Sequence, residues 1–410
     1  MSEELRDRLN RLRRSGELHG SDRGSISPRP LLTEFLFPGE EQEQETDSGR
    51  CYLREIELPL DLHHGKNRLE ESLHCPAGAI ALLDNTRNWE GFNTAGTLFL
   101  DTETTGLAGG TGTLAFLIGL GWFEEGRLIL RQYFLRHPGE ERAMLAHFTA
   151  EVSRFDSLVT FNGRSFDLPL IQTRQILAGL VKQSDPQWHL DLLYCSRRLW
   201  KERLPSCSLR SLEETLLGLK RFDDIPGEEI PAVYFNYLRR GETIRLKQVF
   251  QHNVLDILSM ITLLNRVTKA ATGSLVEHPA DYYSLGRIYL QAGETDKAIE
   301  SFEQAVLCGD KRLEQAALQQ LAAAHKKRGR WEMAAALWHE LIRRRCFDLS
   351  PYLELAKYYE HQAKKLELAL HVTTQALDNA RRRHRAVSGE QSLPALLHRL
   401  NRLRRKLNSL

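Results

Sequence analysis

TLFLDTETTG, residues 97–106, is the stretch from which the rest of the chain is read. Its apolar run, Leu98-Phe99-Leu100, ends in two carboxylates, Asp101 and Glu103. Two residues apart on a strand, their side chains point the same way. Downstream, 112–123 (GTLAFLIGLGWF) and 127–135 (RLILRQYFL) read as the next two strands of a meander. The segment 140–155 reads as a helix, with Ala143, Leu145, His147 and Phe148 near one side and Val152 and Phe155 further on. A buried strand at 157–161 (SLVTF), a helix at 166–180 and a short strand at 189–193 running into a helix at 194–200 follow. The segment 208–217 (SLRSLEETLL) opens on a serine cap with an early glutamate. A long helix at 243–267 carries Ile244, Leu246, Val249, Phe250, Leu255, Ile257, Leu258 and Ile261. Three strands, a helix, a strand and then mostly helices make a mixed α/β layer arrangement.

Two further carboxylates join the first pair. Asp167 stands in TFNGRSFDLPLI (160–171), after the fourth strand and where a helix begins. Asp256 stands in QHNVLDILSM (251–260), and His252, four residues earlier, shares its helical face. Singly, each has a bland reading. A D-x-E at a strand end is common, an aspartate at a helix start is often a cap, and a helical histidine is often a surface or satisfied core residue. In this order and context they suit phosphodiester cleavage. That chemistry needs a nucleophilic water and a stabilised leaving oxygen, which two divalent cations about 3.5–4 Å apart supply. Hard cations take carboxylate oxygens, and a histidine titrates near operating pH and can take the water's proton.

The 410 residues, 41% hydrophobic and 27% charged, are too many for one ordinary domain and too apolar for a disordered chain. No stretch of some twenty apolar residues predicts a membrane span, and the first residues lack the apolar core of a secretory signal. Six scattered cysteines without a C-x-x-C pair fit free thiols in a cytoplasmic setting. The net charge is only +2, but arginines cluster at 6–14 and at 381–406. Such basic ends either track a phosphate backbone or are solvated helix faces, and the second reading is favoured.

Expected boundaries are a largely disordered segment over 1–50, basic and acidic in turn, with a short helix at 4–14; an accessory segment over 51–95; the α/β domain over 96–270; helical repeats over 278–383; and a basic C-terminal helix or tail over 384–410. In the repeats, Tyr282, Leu285, Gly286, Tyr289, Ala298, Phe302 and Ala305 follow the tetratricopeptide pattern. Looser passes run through Leu318, Leu321, Ala322, Ala334, Trp338 and Leu341, and through Tyr352, Leu355, Ala356, Tyr359, Ala369 and Ala376. Small residues let paired helices approach while large ones fill the gap, and each unit buries its face by stacking on the next. A plain helical bundle is the alternative.

DTETTG, F-N-x-x-x-F-D and H-x-x-x-D together resemble the three exonuclease motifs of the DEDD superfamily. The run TGLAGGTGTLAFLIGLG (105–121) is similar to the YprB-type branch of ribonuclease-H-like proteins, often joined to tetratricopeptide repeats. The resemblance implies an α/β ribonuclease-H-like exonuclease domain, a mixed sheet flanked by helices, followed by an all-α tetratricopeptide-like helical repeat domain. It makes Asp101, Glu103, Asp167 and Asp256 ligands of two divalent cations, Mg²⁺ or Mn²⁺, and His252 the general base. In histidine-type members that base stands five residues before the last aspartate; the spacing of four found here is that of tyrosine-type members.

Thr104, Thr105 and Gly106 are expected near a 3′-terminal nucleotide, or else form a turn; Asn162 and Phe166 are expected against a base or sugar, or else at a strand end and in the core. Gly109, Gly110 and Gly112 read as a hairpin turn rather than a phosphate loop, because no lysine follows them. His189 and Asp191 are secondary candidates for the site; Lys201, Arg203 and Arg210 are candidates for the strand path. The function expected is 3′→5′ hydrolysis of single-stranded or frayed DNA or RNA, with a protein partner on the repeats, or nucleic acid reaching them through Lys326, Lys327, Arg328 and Arg330, and no membrane. The rivals are a non-catalytic nucleic-acid-binding scaffold, a structure-specific endonuclease with the same metal site, and a repeat-based adaptor.

Overall fold

The computed structural model describes residues 39–106, 112–180, 186–344, 348–384 and 393–408, all within the unit Leu36–Leu410. The expected helix at 4–14 and the glycines 109 and 110 lie outside the described residues. A hairpin of β1 (Glu40–Thr46) and β2 (Gly49–Pro59) leads to a small ribbon, β3 (His63–His64) and β4 (Asn67–Arg68), and to α1 (Ala77–Leu83). The meander is β5 (Thr97–Thr104), β6 (Ala115–Glu124) and β7 (Arg127–Phe134). Then come α2 (Glu141–Val152), β8 (Ser157–Thr160), α3 (Asp167–Leu177), β9 (Trp188–Asp191), α4 (Leu192–Trp200) and α5 (Leu209–Leu212), which widens into a π-turn over Glu213–Leu217. Helices α6 (Ile230–Arg240) and α7 (Leu246–Ala271) complete the domain.

The sheet order is β1-β2-β7-β6-β5-β8-β9. Pairing is antiparallel from β1 through β5 and parallel across β5-β8-β9. Strand β5 is therefore where the two halves meet, and its C-terminal end lies beside that of β8, the usual place for a site in a parallel sheet. Its register with β6 shifts after Glu103, a bulge of the kind that re-aims side chains beside active sites.

Helix α7, 26 residues long, lies on the sheet. Two glycines of β6 make the close approach possible. A Cβ at Gly119 would stand 2.1 Å from Asn253 Oδ1, and one at Gly121 2.6 Å from Ile257 Cγ2. Positions 119 and 121 share a strand face, and 253 and 257 share a helix face, so the two pairs interlock. Next to α7, the Phe116 ring stacks on Tyr234 of α6 at 4.1 Å, and the Tyr234 hydroxyl donates to the Leu135 carbonyl at 2.8 Å.

Several expectations change. The acidic run read as part of a disordered segment contains β1, whose backbone pairs with β2 along its whole length and so needs no apolar side chains. The start of the accessory segment is β2, an interior member of the main sheet paired with β7. The long helix starts at Leu246 and extends to Ala271; Ile244 is left exposed, and Val254 rather than Leu255 is fully buried. The segment 208–217 breaks its helical pitch at Glu213, where the π-turn begins.

The C-terminal part pairs α8 (Pro279–Gln291) with α9 (Thr295–Ala305), α10 (Lys311–Lys327) with α11 (Trp331–Arg343), and α12 (Ser350–Lys357), extended by a π-turn, with α13 (Leu366–His384); α14 (Leu393–Asn408) follows. Knob-in-hole packing is plain at Gly286, where a Cβ would stand 2.6 Å from Phe302 Cε1. The aromatic that meets Phe302 is Tyr283, at 6.1 Å between ring centroids, rather than the half-buried Tyr282. No helix among the described residues is long and apolar enough to cross a membrane.

Candidate active site

Asp101 is fixed from behind. Asn253 Nδ2 donates to its Oδ2 at 2.8 Å, Gln132 Nε2 donates to Asn253 Oδ1 at 2.9 Å, and Arg54 Nη1 donates to Gln132 Oε1 at 3.0 Å. Asn253, Gln132 and Arg54 are all buried, so this chain from β2 through β7 and α7 to β5 is shielded from water. Gly119 faces Asp101 across the β5–β6 register and leaves the room in which Asn253 sits. Glu103, one pleat on, is also buried.

Asp167 opens α3, and the loop before it is held by a second carboxylate. Asp191 accepts from the backbone N–H of Asn162 (2.9 Å), Arg164 (3.3 Å) and Leu193 (3.0 Å). Asn162 takes a left-handed φ of 67°, and at Gly163 a Cβ would lie 2.5 Å from Thr160. Arg164 anchors the loop to Asp84 at 2.7 Å. Asp167 in turn accepts from the Thr102 hydroxyl of β5, which ties the second motif to the first. Buried His189 meets Thr160 Oγ1 at 2.9 Å, and burial first, then Arg164, pushes its pKa down to about 3. His189 and Asp191 thus build the loop that presents Asp167.

Helix α7 brings His252 and Asp256. His252 Nδ1 lies 2.9 Å from Asp224 Oδ1, and because a carboxylate only accepts, Nδ1 is the donor. Nε2 lies 3.7 Å from Asp256 Oδ2. The other oxygen of Asp256 accepts from Arg221, which also bonds Glu213 and lies 3.2 Å from Asp224. Glu213 accepts from Ser259 at 2.5 Å, and Ser259 meets His64 of β3 at 2.7 Å. The π-turn is what places Glu213 in this buried chain.

The electrostatics follow from packing acids together. Burial, then Asp256 and Asp167, holds the Asp101 carboxyl well above the usual carboxylate range. Burial and then Asp101 do the same for Glu103. Asp167 is pushed up to about 6 by burial, against the opposing Thr102 hydrogen bond. At His252 burial works against the charged form, yet Asp256, Asp224 and Glu103 outweigh it and raise the pKa to about 10. Such a cluster is relieved by a hard cation, and its donor set is the right chemistry for one. Among the described residues, no three His, Cys, Asp or Glu side chains already stand in a geometry that could hold an ion. Asn253, Thr102 and Arg221 each engage one of the aspartates instead.

Other expected residues are placed as follows. The Thr104 hydroxyl donates to the Gly106 carbonyl at 3.0 Å, and the Thr105 hydroxyl accepts from Leu114 N–H at 2.9 Å, so both close the β5–β6 turn. Asn162 is exposed and Phe166 half-buried, beside Asp167. Arg203 pairs with Asp281 at 3.1 Å and Arg210 lies 3.6 Å from Glu214, away from a free role on the strand path. Lys326 bonds Glu354, and Arg328 and Arg330 are paired with Asp296. Sequence reasoning missed Asn253, Arg221, Asp224 and Glu213. A glycine pair inside a strand is the one local signal that something approaches closely there. Phe222, next to Arg221, is 86% exposed.

Residues 98–268 match the RNase H superfamily, and residues 282–316 match the tetratricopeptide repeat. Among solved structures, the family B DNA polymerase from the hyperthermophilic archaeon Pyrobaculum calidifontis aligns with 57% of this chain and 29% of its own, at 15% identity and a TM-score of 0.34. The uncharacterized protein YprB of Bacillus subtilis (strain 168) is 36% identical over 371 residues, 88% of this chain and 87% of that one. With that identity over nearly its whole length, the chain belongs to the YprB family, a ribonuclease-H-superfamily domain joined to tetratricopeptide repeats.

Proposed function

We propose that this protein is a metal-dependent 3′→5′ exonuclease acting on single-stranded or frayed DNA or RNA. The observation that carries the reading is the convergence of Asp101, Glu103 and Asp167 with the His252–Asp256 pair, from β5, α3 and α7, in one part-buried cluster. A cluster of like charges persists in a folded protein only where something compensates it. Asp101, Glu103, Asp167 and Asp256 would hold two divalent cations, Mg²⁺ or Mn²⁺; when bound, such ions supply an activated water and charge stabilisation for the attacking and leaving oxygens. Asn253 keeps Asp101 in one orientation, and Thr102 does so for Asp167. Asp224 holds Nδ1 of His252; cations held by the acids would offset the negative charge that keeps His252 protonated, which would free Nε2 to accept the water's proton. Exposed Phe222 offers a ring on which a terminal base can stack.

The test is degradation of 5′-labelled single-stranded DNA and RNA by purified protein with Mg²⁺ or Mn²⁺, beside Asp101→Ala and Asp256→Ala. A ladder that shortens from the 3′ end, and is lost with chelator and in both folded variants, is expected. Cleavage of circular single strands would instead indicate an endonuclease. Arg221 favours one second reading, a nucleic-acid binder that does not cleave, because its guanidinium already neutralises Asp256. Binding without cleavage at any metal concentration would establish that reading and overturn the first.

A further inference from the structure

Helix α4 starts at the candidate site and ends in a basic cleft. Its cap, Asp191, holds the loop leading into Asp167 and lies near enough to raise the Asp167 pKa. Along the helix, Tyr194, Arg197, Arg198 and Lys201 recur at three, four and seven residues from the tyrosine, so they share one face. That face forms one wall of a cleft of about 360 Å³; the other wall is α8, the first repeat helix, with Arg287 and Gln291. By helical rise, Arg197 and Lys201 lie about 9 and about 15 Å along the axis from Asp191.

The charges there are not balanced from within. The lining has four cations and one carboxylate, Glu202. Glu202 is already paired outside the lining with Arg312 at 2.9 Å and lies 3.8 Å from Arg287. Arg198 is committed to the Leu83 carbonyl and to Gln291 at 2.6 Å, which braces the two walls. Arg197 and Lys201 have no side-chain hydrogen bond or ion pair among the described residues. Tyr194 is 46% exposed beside them. Unpaired cations interleaved with an exposed aromatic are what a sugar-phosphate backbone with unstacked bases requires.

We infer that the cleft between α4 and α8 binds single-stranded nucleic acid on the 5′ side of the scissile end. The first repeat helix is thereby part of the nucleic-acid-binding surface. Arg197 and Lys201 contact phosphates, Arg287 closes the opposite wall, and Tyr194 takes a base. The polarity rests on the exonuclease reading; the binding itself does not.

The experiment is fluorescence polarisation with labelled single-stranded oligomers of 20 and of 3 nucleotides, in DNA and RNA versions, with chelator present so that nothing is cleaved. The full-length protein, Arg197→Glu/Lys201→Glu/Arg287→Glu and the milder Arg197→Ala/Lys201→Ala are compared over a salt series. For the 20-mer, the triple variant is expected to lose at least tenfold in affinity. Its log–log salt slope should shrink by about 2, at about 0.7 for each phosphate no longer neutralised. The alanine pair should fall between, and the 3-mer should bind all three proteins alike. Unchanged affinity and slope for the 20-mer, in variants with wild-type melting, would overturn the assignment. So would displacement of the 20-mer by polyglutamate at equal charge concentration, which would make the cleft a site for acidic protein segments. Retention of this binding with no cleavage in metal would leave the cleft standing and remove the exonuclease reading.

Discussion

A methyl group at position 119 would stand 2.1 Å from Asn253 Oδ1, so the face of β6 opposite Asp101 has room for glycine alone. Gly119→Ala is expected to push Asn253 away, free Oδ2 of Asp101 and break the bond to Gln132. Overpacking of this kind costs about 1–3 kcal/mol. Beyond that cost, the single-turnover cleavage rate at saturating metal is expected to fall at least tenfold. Gly121→Ala is the control, since its methyl would meet Ile257 Cγ2 at 2.6 Å and touches nothing that holds Asp101. Equal melting losses with unequal rates would tie the effect to Asn253; equal rates would sink the link. The four acids stood out in the sequence because each lies in a short motif: Asp101 and Glu103 towards the end of a strand, Asp167 at a helix start, and Asp256 four residues after His252 along α7. Asn253, Arg221 and Asp224 were not, because their partners lie 152, 35 and 28 residues away and only the folded chain brings them together.

At the scale of elements, charge was the least reliable guide. The acidic run that forms β1 carries no apolar pattern, yet its backbone completes the sheet edge, and charged edges are a usual defence against strand addition. The basic C-terminal stretch reads as a solvated face or a phosphate track, yet Arg399, Arg402 and Lys406 of α14 converge on one buried carboxylate, Glu360, at 2.8, 2.6 and 2.9 Å. Leu396, Leu400 and Leu403 lie buried on the same helix, so α14 is a lid on the last repeat pair. Periodicity alone could not show this, because the partner acid lies in the π-turn after α12. Removing Glu360 leaves three cations uncompensated, but Arg402 and Lys406 are partly exposed and reach water, so the cost falls below the about 3–5 kcal/mol of a fully buried pair. Glu360→Ala is therefore expected to release α14. Limited proteolysis should cut within α14, residues 393–408, faster than in wild type, while cleavage by the N-terminal domain is unchanged. An unaltered digestion pattern would show that the leucines hold the helix without Glu360.

Across the whole molecule, the sequence separated the two architectures but not the seam between them, because a seam has no period of its own. In the structure α8 packs on α4 and α1, and two ion pairs cross the junction: Arg203 with Asp281 at 3.1 Å and Arg266 with Glu277 at 2.7 Å. The arrangement makes the first repeat helix a neighbour of the candidate site rather than a distant tether. It also makes the seam sensitive to pH. Burial raises the Asp281 pKa from 3.8 to about 7; Arg203 and Arg266 oppose the rise and Glu277 adds to it. An acid with a higher pKa in the folded than in the unfolded chain binds its proton more tightly when folded. Its contribution to stability is fully present below about pH 4 and is lost as pH rises through about 7. Melting of the wild-type protein should thus include a component that declines between those limits. Asp281→Asn, which stays neutral, is expected to flatten it and to gain stability relative to wild type at pH 8. Arg203→Met, which removes the nearest opposing charge, should move the decline to higher pH. A decline of the same size and position in the asparagine variant would mean that the seam titrates through another group.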